Sequence, residues 1–424
     1  MPPPPPLLLL LLLAAAAPRA GALRMKILGG GGGHPADRRS AVRDAVSVGL
    51  GLGLAGMGTT AAPQELIEEA PLPSAAANAQ AGDLDFRARA ADRAHVFMLR
   101  RGGFGGKGSP FAAPLALSSS MEELAASDLL FLGEHHDSDE DHRLQASMVR
   151  QLQNYNGKRK IGVGLEMVQA QFQPVLDAYT AGKITDAELF EQTQWADRWR
   201  WPFESYLPLL HTVRDMGGDL VALNTNSESI RKVESAGLGG LSRAEVQQYV
   251  CDPDGFARTA ADPVFLQYVK GLLLPSYLLH AQMGVLRASI TGDRLEEDIT
   301  FANFFAARIL WDETMATRAV RYIQKNPGAQ LVVVAGGDHV RYGYGIPVRA
   351  ARIAPALGLN RIDVKTAMLN PTDVAQGLAA VSRLELELPR EREANEDPLP
   401  WQKTPLLADY LVYSRPLVLK ENQA

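Results

Sequence analysis

The feature that most constrains the fold is a series of five short apolar runs, most of which end abruptly in polar side chains. They span 128–135 (DLLFLGEH), 160–168 (KIGVGLEMV), 219–226 (DLVALNTN), 329–339 (AQLVVVAGGDH) and 361–369 (RIDVKTAML). Near-continuous apolar runs of this length mark parallel strands buried on both faces. Longer helical patterns separate them, such as HRLQASMVRQLQNY after the first run. The alternation predicts an α/β fold, a mostly parallel sheet flanked by helices. The stretch 228–301 has no good strand, several prolines and helical patterns such as VFLQYVKGLLL, so a helical insertion capping the carboxyl ends of the strands is expected there. In the polar, Pro-rich tail, YLVY is expected to add an edge strand.

Ligands bind beyond the carboxyl ends of the strands in open parallel sheets. Four of the runs deliver polar groups to those ends: Glu134, His135 and His136; Glu166; Asn224 and Asn226; and Gly336, Gly337, Asp338 and His339. Glu134 and His136 are two apart and face the same side of an extended chain. His142 begins the next helix and can lean back over the rim. Imidazoles with carboxylates are a ligand set for a divalent transition metal, which nominates Glu134, His136 and His339. The same residue types suit acid–base catalysis, which nominates Glu134, His136, Glu166 and His339. Gly336 and Gly337 let a ligand approach the backbone closely.

Plainer readings apply nearby. Glu166 alone fits a structural salt bridge as well as a functional role, and His135 reads as a surface neighbour. Asp137, Asp139, Glu140 and Asp141 suit the positive end of the following helix. His95, His211 and His280 have no supporting partners in the sequence and read as ordinary. The segment WADRWRWPFESYLPLL packs Trp195, Trp199, Trp201, Phe203 and Tyr206 closely together. Part of that aromatic surface fits core packing, while Trp199 and Trp201 would also serve a flat apolar ligand. RILWDETMATRAVRYI reads as a mostly buried helix with Asp312 and Glu313 near the rim.

A net charge of −5 argues against a nucleic-acid surface, which needs clustered Lys and Arg. With Cys251 the single cysteine, neither an intrachain disulfide nor a thiolate metal cluster can form. Residues 1–62 read as a targeting region. Its first leucine run is too short and Pro-flanked to span a membrane. Arg38 and Arg39 then precede an apolar stretch over 45–58 and small residues to Ala62, the order of a twin-arginine signal. The expected destination is the chloroplast thylakoid lumen, with secretion or the endomembrane system as the rival if only the first apolar run is a signal. Retention of the second run would hold the protein peripherally at the thylakoid membrane. A linker (63–82), one α/β domain (83–370) with its insertion, and a C-terminal extension (371–424) complete the expected organisation.

The stretches FLGEHHDSDEDHRLQASMVRQL, VGLEMVQAQFQPVLDAY, W-x-W-P-F-x-x-Y, ILWDETMA and VVVAGGDHVRYGYGIPVR, spread over 118–369, together resemble the ChaN-like haem-binding uptake family. That family is distantly related to the Tiki proteases and erythromycin esterases. The resemblance implies an α/β fold, haem in an apolar pocket, and dimerisation around cofacial haems as in at least one bacterial member. It assigns the family motifs to Gly133, Glu134, His136, His142, Glu166 and His339. Read with the aromatic segment, the expected haem contacts are His136, His142, Trp199, Trp201, Gly336, Gly337 and His339. The family's tyrosine ligand has no clear match; Tyr268, Tyr277 and Tyr342 are the candidates. Two functions stay open: haem or iron handling in the chloroplast through a bound tetrapyrrole, or metal-dependent hydrolysis at the Glu/His rim.

Overall fold

Eight strands form one sheet in the computed structural model, which describes residues 94–102, 109–287, 295, 297–371 and 405–414. The expectations for 1–62 and 63–82, and most of those for 371–424, lie outside the described residues. The strands are β1 (His95–Arg101), β2 (Pro110–Leu115), β3 (Leu129–Glu134), β4 (Ile161–Gln169), β5 (Asp219–Asn224), β6 (Gln330–Gly336), β7 (Val364–Leu369) and β8 (Tyr410–Tyr413). Their spatial order is β2-β1-β8-β7-β3-β6-β4-β5. All pairs from β8 to β5 are parallel, whereas β1 pairs antiparallel with both β8 and β2.

The helices are α1 (Leu117–Ala126), α2 (Asp139–Tyr155), α3 (Gln173–Thr180), α4 (Asp186–Gln192), α5 (Trp195–Arg198), α6 (Phe203–Asp215) and α7 (Ser227–Ala236). They continue with α8 (Arg243–Tyr249), α9 (Pro253–Ala261), α10 (Pro263–Tyr268), α11 (Leu274–Gln282), α12 (Phe301–Lys325), α13 (Gly337–Val340) and α14 (Ile346–Ala356). Side chains alternate along the strands between two apolar layers. Leu130, Leu132, Val163, Leu165, Val332 and Val334 meet α1, α2 and α6 on one face. Leu129, Phe131, Leu331, Val333 and Ala335 meet α12 and α14 on the other. Burial on both faces is why these strands carry no polar alternation.

One expectation is corrected. YLVY is not an edge strand: β8 lies inside the sheet between β7 and β1, and all four of its residues are buried. The hairpin β1–β2 was not foreseen. Its outer strand carries Pro110 and Pro114, residues an edge tolerates because one side of the strand needs no donors. The opposite edge is closed by a side chain. Gln173 Nε2 donates to the Leu220 carbonyl at 2.8 Å and its Oε1 accepts from the Ala222 N–H at 2.8 Å, taking the place of a further strand.

Among the described residues of 228–301 the helices α7 through α11 are observed. These helices dock on the N-terminal half of α12: Phe265, Tyr268 and Val269 share a cluster with Phe305 and Ile309, and Ile230, Val233 and Tyr249 share another with Ala306 and Leu310. The 25 residues of α12 extend about 37 Å, well beyond the roughly 23 Å of a seven-residue strand such as β6. The first turns of α12 therefore project past the carboxyl ends of the strands, and the insertion sits there. No helix among the described residues is long and apolar enough to cross a membrane.

Candidate functional site

The parallel register brings the ends of β3, β6 and β4 together, with Glu134 directly opposite Gly336. Glu134 is buried and heavily contacted. Its Oε1 accepts from the Tyr206 hydroxyl at 2.9 Å and from His136 Nδ1 at 2.8 Å. Its Oε2 accepts from Gln145 Nε2 at 2.6 Å and lies 3.4 Å from His142 Nδ1. Burial alone would raise its pKa; the bonds and charge of His136 and His142 outweigh that and hold the carboxyl far below its ordinary range. Tyr206 is pushed the other way, first by burial and then by the Glu134 charge, so its hydroxyl stays protonated and donates.

Glu166 holds the other side of the rim. Its Oε2 accepts from the Gly336 N–H at 2.6 Å, and its Oε1 lies 3.1 Å from His339 Nε2. Asn224 ties the Glu166 carbonyl at 2.7 Å. Burial again opposes ionisation, and the nearby His339 and His136 keep the Glu166 carboxyl below its usual value. His339 Nδ1 meets Asp312 Oδ1 at 2.5 Å, and the Trp311 ring lies edge-on at 5.4 Å. Burial and the Arg308 charge disfavour a cationic His339, but Glu166 and Asp312 prevail and push it up to about 9. Arg308 Nη2 and the Tyr268 hydroxyl both donate to the Asp338 carbonyl, at 2.7 and 3.3 Å, which anchors the segment carrying His339 to α12 and to the insertion.

The imidazoles can now be told apart by their partners. His339 faces a carboxylate with each nitrogen, so it is an imidazolium. His142 gives Nε2–H to the His136 carbonyl at 3.1 Å and faces Glu134 and the Gln145 amide oxygen with Nδ1. Burial disfavours its charged form, yet Glu134 raises it to about 8. His136 differs from both. Its Nδ1–H goes to Glu134, and its Nε2 has no hydrogen-bond partner among the described residues. That nitrogen abuts Gly336, where an added Cβ would come within 2.5 Å of it. Trp201 and Trp199 brace the ring, with centroids at 4.2 and 5.0 Å.

The strand-end residues named from sequence are thus brought together: Glu134, His136, Glu166, Gly336 and His339 share one rim, with His142 beneath it. Gly337 lies under Met368, which an added Cβ would meet at 2.8 Å. His135 turns away to Asp141 at 2.9 Å. The metal trio Glu134, His136 and His339 is not a ligand cage. Glu134 and His339 spend their lone pairs and protons on protein partners, and among the described residues no group of three or more such side chains is placed to hold a metal ion. Sequence reasoning missed Gln145 and the bond from Tyr206. Gln145 lies one turn after His142, and Tyr206 closes the W-x-W-P-F-x-x-Y pattern; these were the available signals.

The candidate tyrosines are occupied as well. The Tyr268 and Tyr277 hydroxyls donate to the carbonyls of Asp338 and Ile299. Burial pushes Tyr268 up to about 12 and raises Tyr277, which disfavours the phenolate that would bind iron. Tyr342 is buried in a left-handed turn, with φ of 61°.

An α/β sheet with a carboxylate–imidazole rim at its carboxyl ends, capped by helices, defines the class. Residues 120–350, more than half of the chain, match the family described as haem-binding uptake, Tiki superfamily, ChaN. The chain belongs to that family. It is 27% identical over 263 residues to the protein RETICULATA-RELATED 5, chloroplastic, of Arabidopsis thaliana, covering 58% of this chain and 32% of that relative. The chain therefore spans about a third of the length of the curated relative it matches. Among solved structures, ChaN of Campylobacter jejuni with cofacially bound haem is 13% identical with a TM-score of 0.44, covering 74% of this chain and 96% of that one. An erythromycin esterase, EreC, in its open conformation is 13% identical with a TM-score of 0.35, covering 61% of this chain and 76% of that one.

Proposed function

We propose that the protein binds haem or a closely related tetrapyrrole in the chloroplast, with His136 as the rim residue that meets the metal. The observation that carries this reading is the free Nε2 of His136. A carboxylate fixes its tautomer and two indoles fix its plane, which is the arrangement that orients an imidazole towards a metal. Two features support the reading: Gly336 places no side chain beside Nε2, and Trp201, half-buried, offers an apolar border. Membership of a haem-binding family supports the ligand class, and the chloroplastic relative supports the compartment. Bound haem would supply an iron centre; His136 would hold it, and the side chains beside it would provide a water-poor edge. His136→Ala should shift the absorbance band of added hemin, or weaken its binding, without changing the circular dichroism. An unchanged band would remove His136 from the metal.

The finer placement in the thylakoid lumen rests on Arg38 and Arg39 ahead of the apolar 45–58 run. Replacing both arginines by lysine should leave the imported precursor in the stroma; unchanged delivery to the lumen would defeat it. A second reading, hydrolysis, is favoured by the same His136–Glu134 pair. An imidazole with Nδ1–H on a carboxylate and Nε2 free is poised as a general base. It predicts esterase or peptidase turnover lost in both His136→Ala and Glu134→Gln.

A further inference from the structure

One stretch of the insertion departs from the rest of the chain in charge. Residues 271–286, GLLLPSYLLHAQMGVL, hold no Asp, Glu, Lys or Arg, although such residues make up 21% of the chain. Much of the run forms α11, of which no residue is buried. A helix this apolar ordinarily belongs in a core, so its exposure needs a cause.

At 3.6 residues per turn α11 divides into two faces. Tyr277 and His280 lie on the inner face and pack on the first turn of α12. The Phe301 ring is 5.4 Å from that of Tyr277, and Phe304 is 5.5 Å from Tyr277 and 5.7 Å from His280. The Tyr277 hydroxyl donates to the Ile299 carbonyl at 3.1 Å, and His280 Nδ1–H donates to the Ser276 carbonyl at 2.7 Å. Leu274, Pro275, Leu278 and Ala281 share the outer face with Gln282. Pro275, Leu278, Ala281 and Gln282 are exposed, Leu278 to 50%. The usual division of a surface helix is reversed, with polar-tipped rings turned inward and aliphatic side chains turned outward. Exposed Lys270 and Arg287 bracket the run, and Arg287 shares its charge with Asp298 at 2.6 Å.

Size, shape and position decide what covers this face. A strip about 14 Å long and about 10 Å across falls far below the roughly 800 Å² per partner of a stable protein interface. A second copy of the chain would need much more surface than α11 offers. The strip is also convex, whereas a partner helix is received by a groove. Its place is at an outer end of the insertion, because α11 packs on the turn of α12 that projects furthest past the strands. A convex apolar strip at an extremity, with cations at both ends, is suited to a plane that is apolar within and anionic at its surface.

We infer that the outer face of α11 is a lipid-contact surface. Leu274, Pro275 and Leu278 enter the boundary between headgroups and acyl chains, and Lys270 stays at the level of the phosphates. No charged side chain of α11 has to leave water for this. The inference is independent of the ligand read at the rim and of the apolar 45–58 run.

Because that run could bring the whole chain to vesicles by itself, the test needs a local readout. Cys251 meets the Thr317 hydroxyl at 3.5 Å, a contact that serine can keep. In a Cys251→Ser chain, Ala281→Cys labelled with an environment-sensitive dye should shift to the blue on vesicles of phosphatidylcholine and phosphatidylglycerol. Brominated acyl chains should quench it. The same dye at Tyr155→Cys, exposed at the far end of α2, should show neither effect. Leu278→Gln should raise the lipid needed for half the shift roughly tenfold, the loss of about one buried leucine. Its circular dichroism should match that of the parent, since Leu278 is exposed. A chain that sediments with vesicles while the dye at 281 stays unshifted binds lipid elsewhere, which would overturn the inference. A chain that does not sediment with vesicles would overturn it as well. A shift that needs no lipid and grows with protein concentration would assign the face to a second copy, against the inference.

Discussion

The Tyr206 hydroxyl is the neutral donor on a carboxylate otherwise surrounded by imidazoles and an amide. Tyr206→Phe would leave Glu134 Oε1 with His136 alone in a fully buried setting. Loss of a donor to a buried charged group costs about 1–3 kcal/mol, so the urea midpoint should fall measurably; a change within error would mean that the bond does not form. The two cationic imidazoles set a pH dependence. Their folded values, about 8 for His142 and about 9 for His339, lie above the ordinary 6.5. Their contribution is therefore fully present below about pH 6.5 and is lost as pH rises through 8 and 9. Glu134 and Glu166 are depressed from 4.5, so their contribution is present above that value and lost in acid. Denaturation midpoints should decline from neutral pH towards about pH 9. A midpoint that rises over that interval would contradict the ion-pair assignment of His339.

At the scale of elements, bare backbone positions carry as much information as side chains. Gly336→Ala would thrust a methyl to 2.5 Å from His136 Nε2. The imidazole must then turn away from Glu134 and disturb the indoles packed edge-on and tilted against it, at a cost of about 1–3 kcal/mol for overpacking. The fluorescence of Trp199 and Trp201 should change with it; an unaltered spectrum and midpoint would show that the ring has room to spare. The parallel strands and their polar ends were legible in the sequence because burial on both faces leaves unbroken apolar runs. The place of β8 was not, because a four-residue strand bears no mark of which neighbour it joins. β1 was hidden for a related reason: HVFMLRR mixes apolar and charged residues, and it pairs along one side with β2 and along the other with β8. In the site, Glu134, His136, Glu166 and His339 were legible from strand ends. Gln145 and the Tyr206 bond were not, because helix-to-strand contacts depend on how α2 and α6 pack.

For the whole molecule, the sheet and the insertion both pack on α12. α12 belongs to both, since its C-terminal half packs on the sheet and its N-terminal half carries α7 to α11. Arg352 on α14 reinforces the union, reaching Asp252 of the insertion and Glu313 of α12, each at 2.5 Å. A domain joined in this way should unfold in one cooperative transition; a resolved early step confined to the insertion would show that it is a separate unit. The central claim is that this architecture binds a tetrapyrrole, and a hemin titration of the purified wild-type chain tests it most directly. The account predicts a saturable absorbance band, distinct from that of free hemin, whose position moves in His136→Ala. A band that never saturates, or that matches hemin in buffer alone, would contradict it.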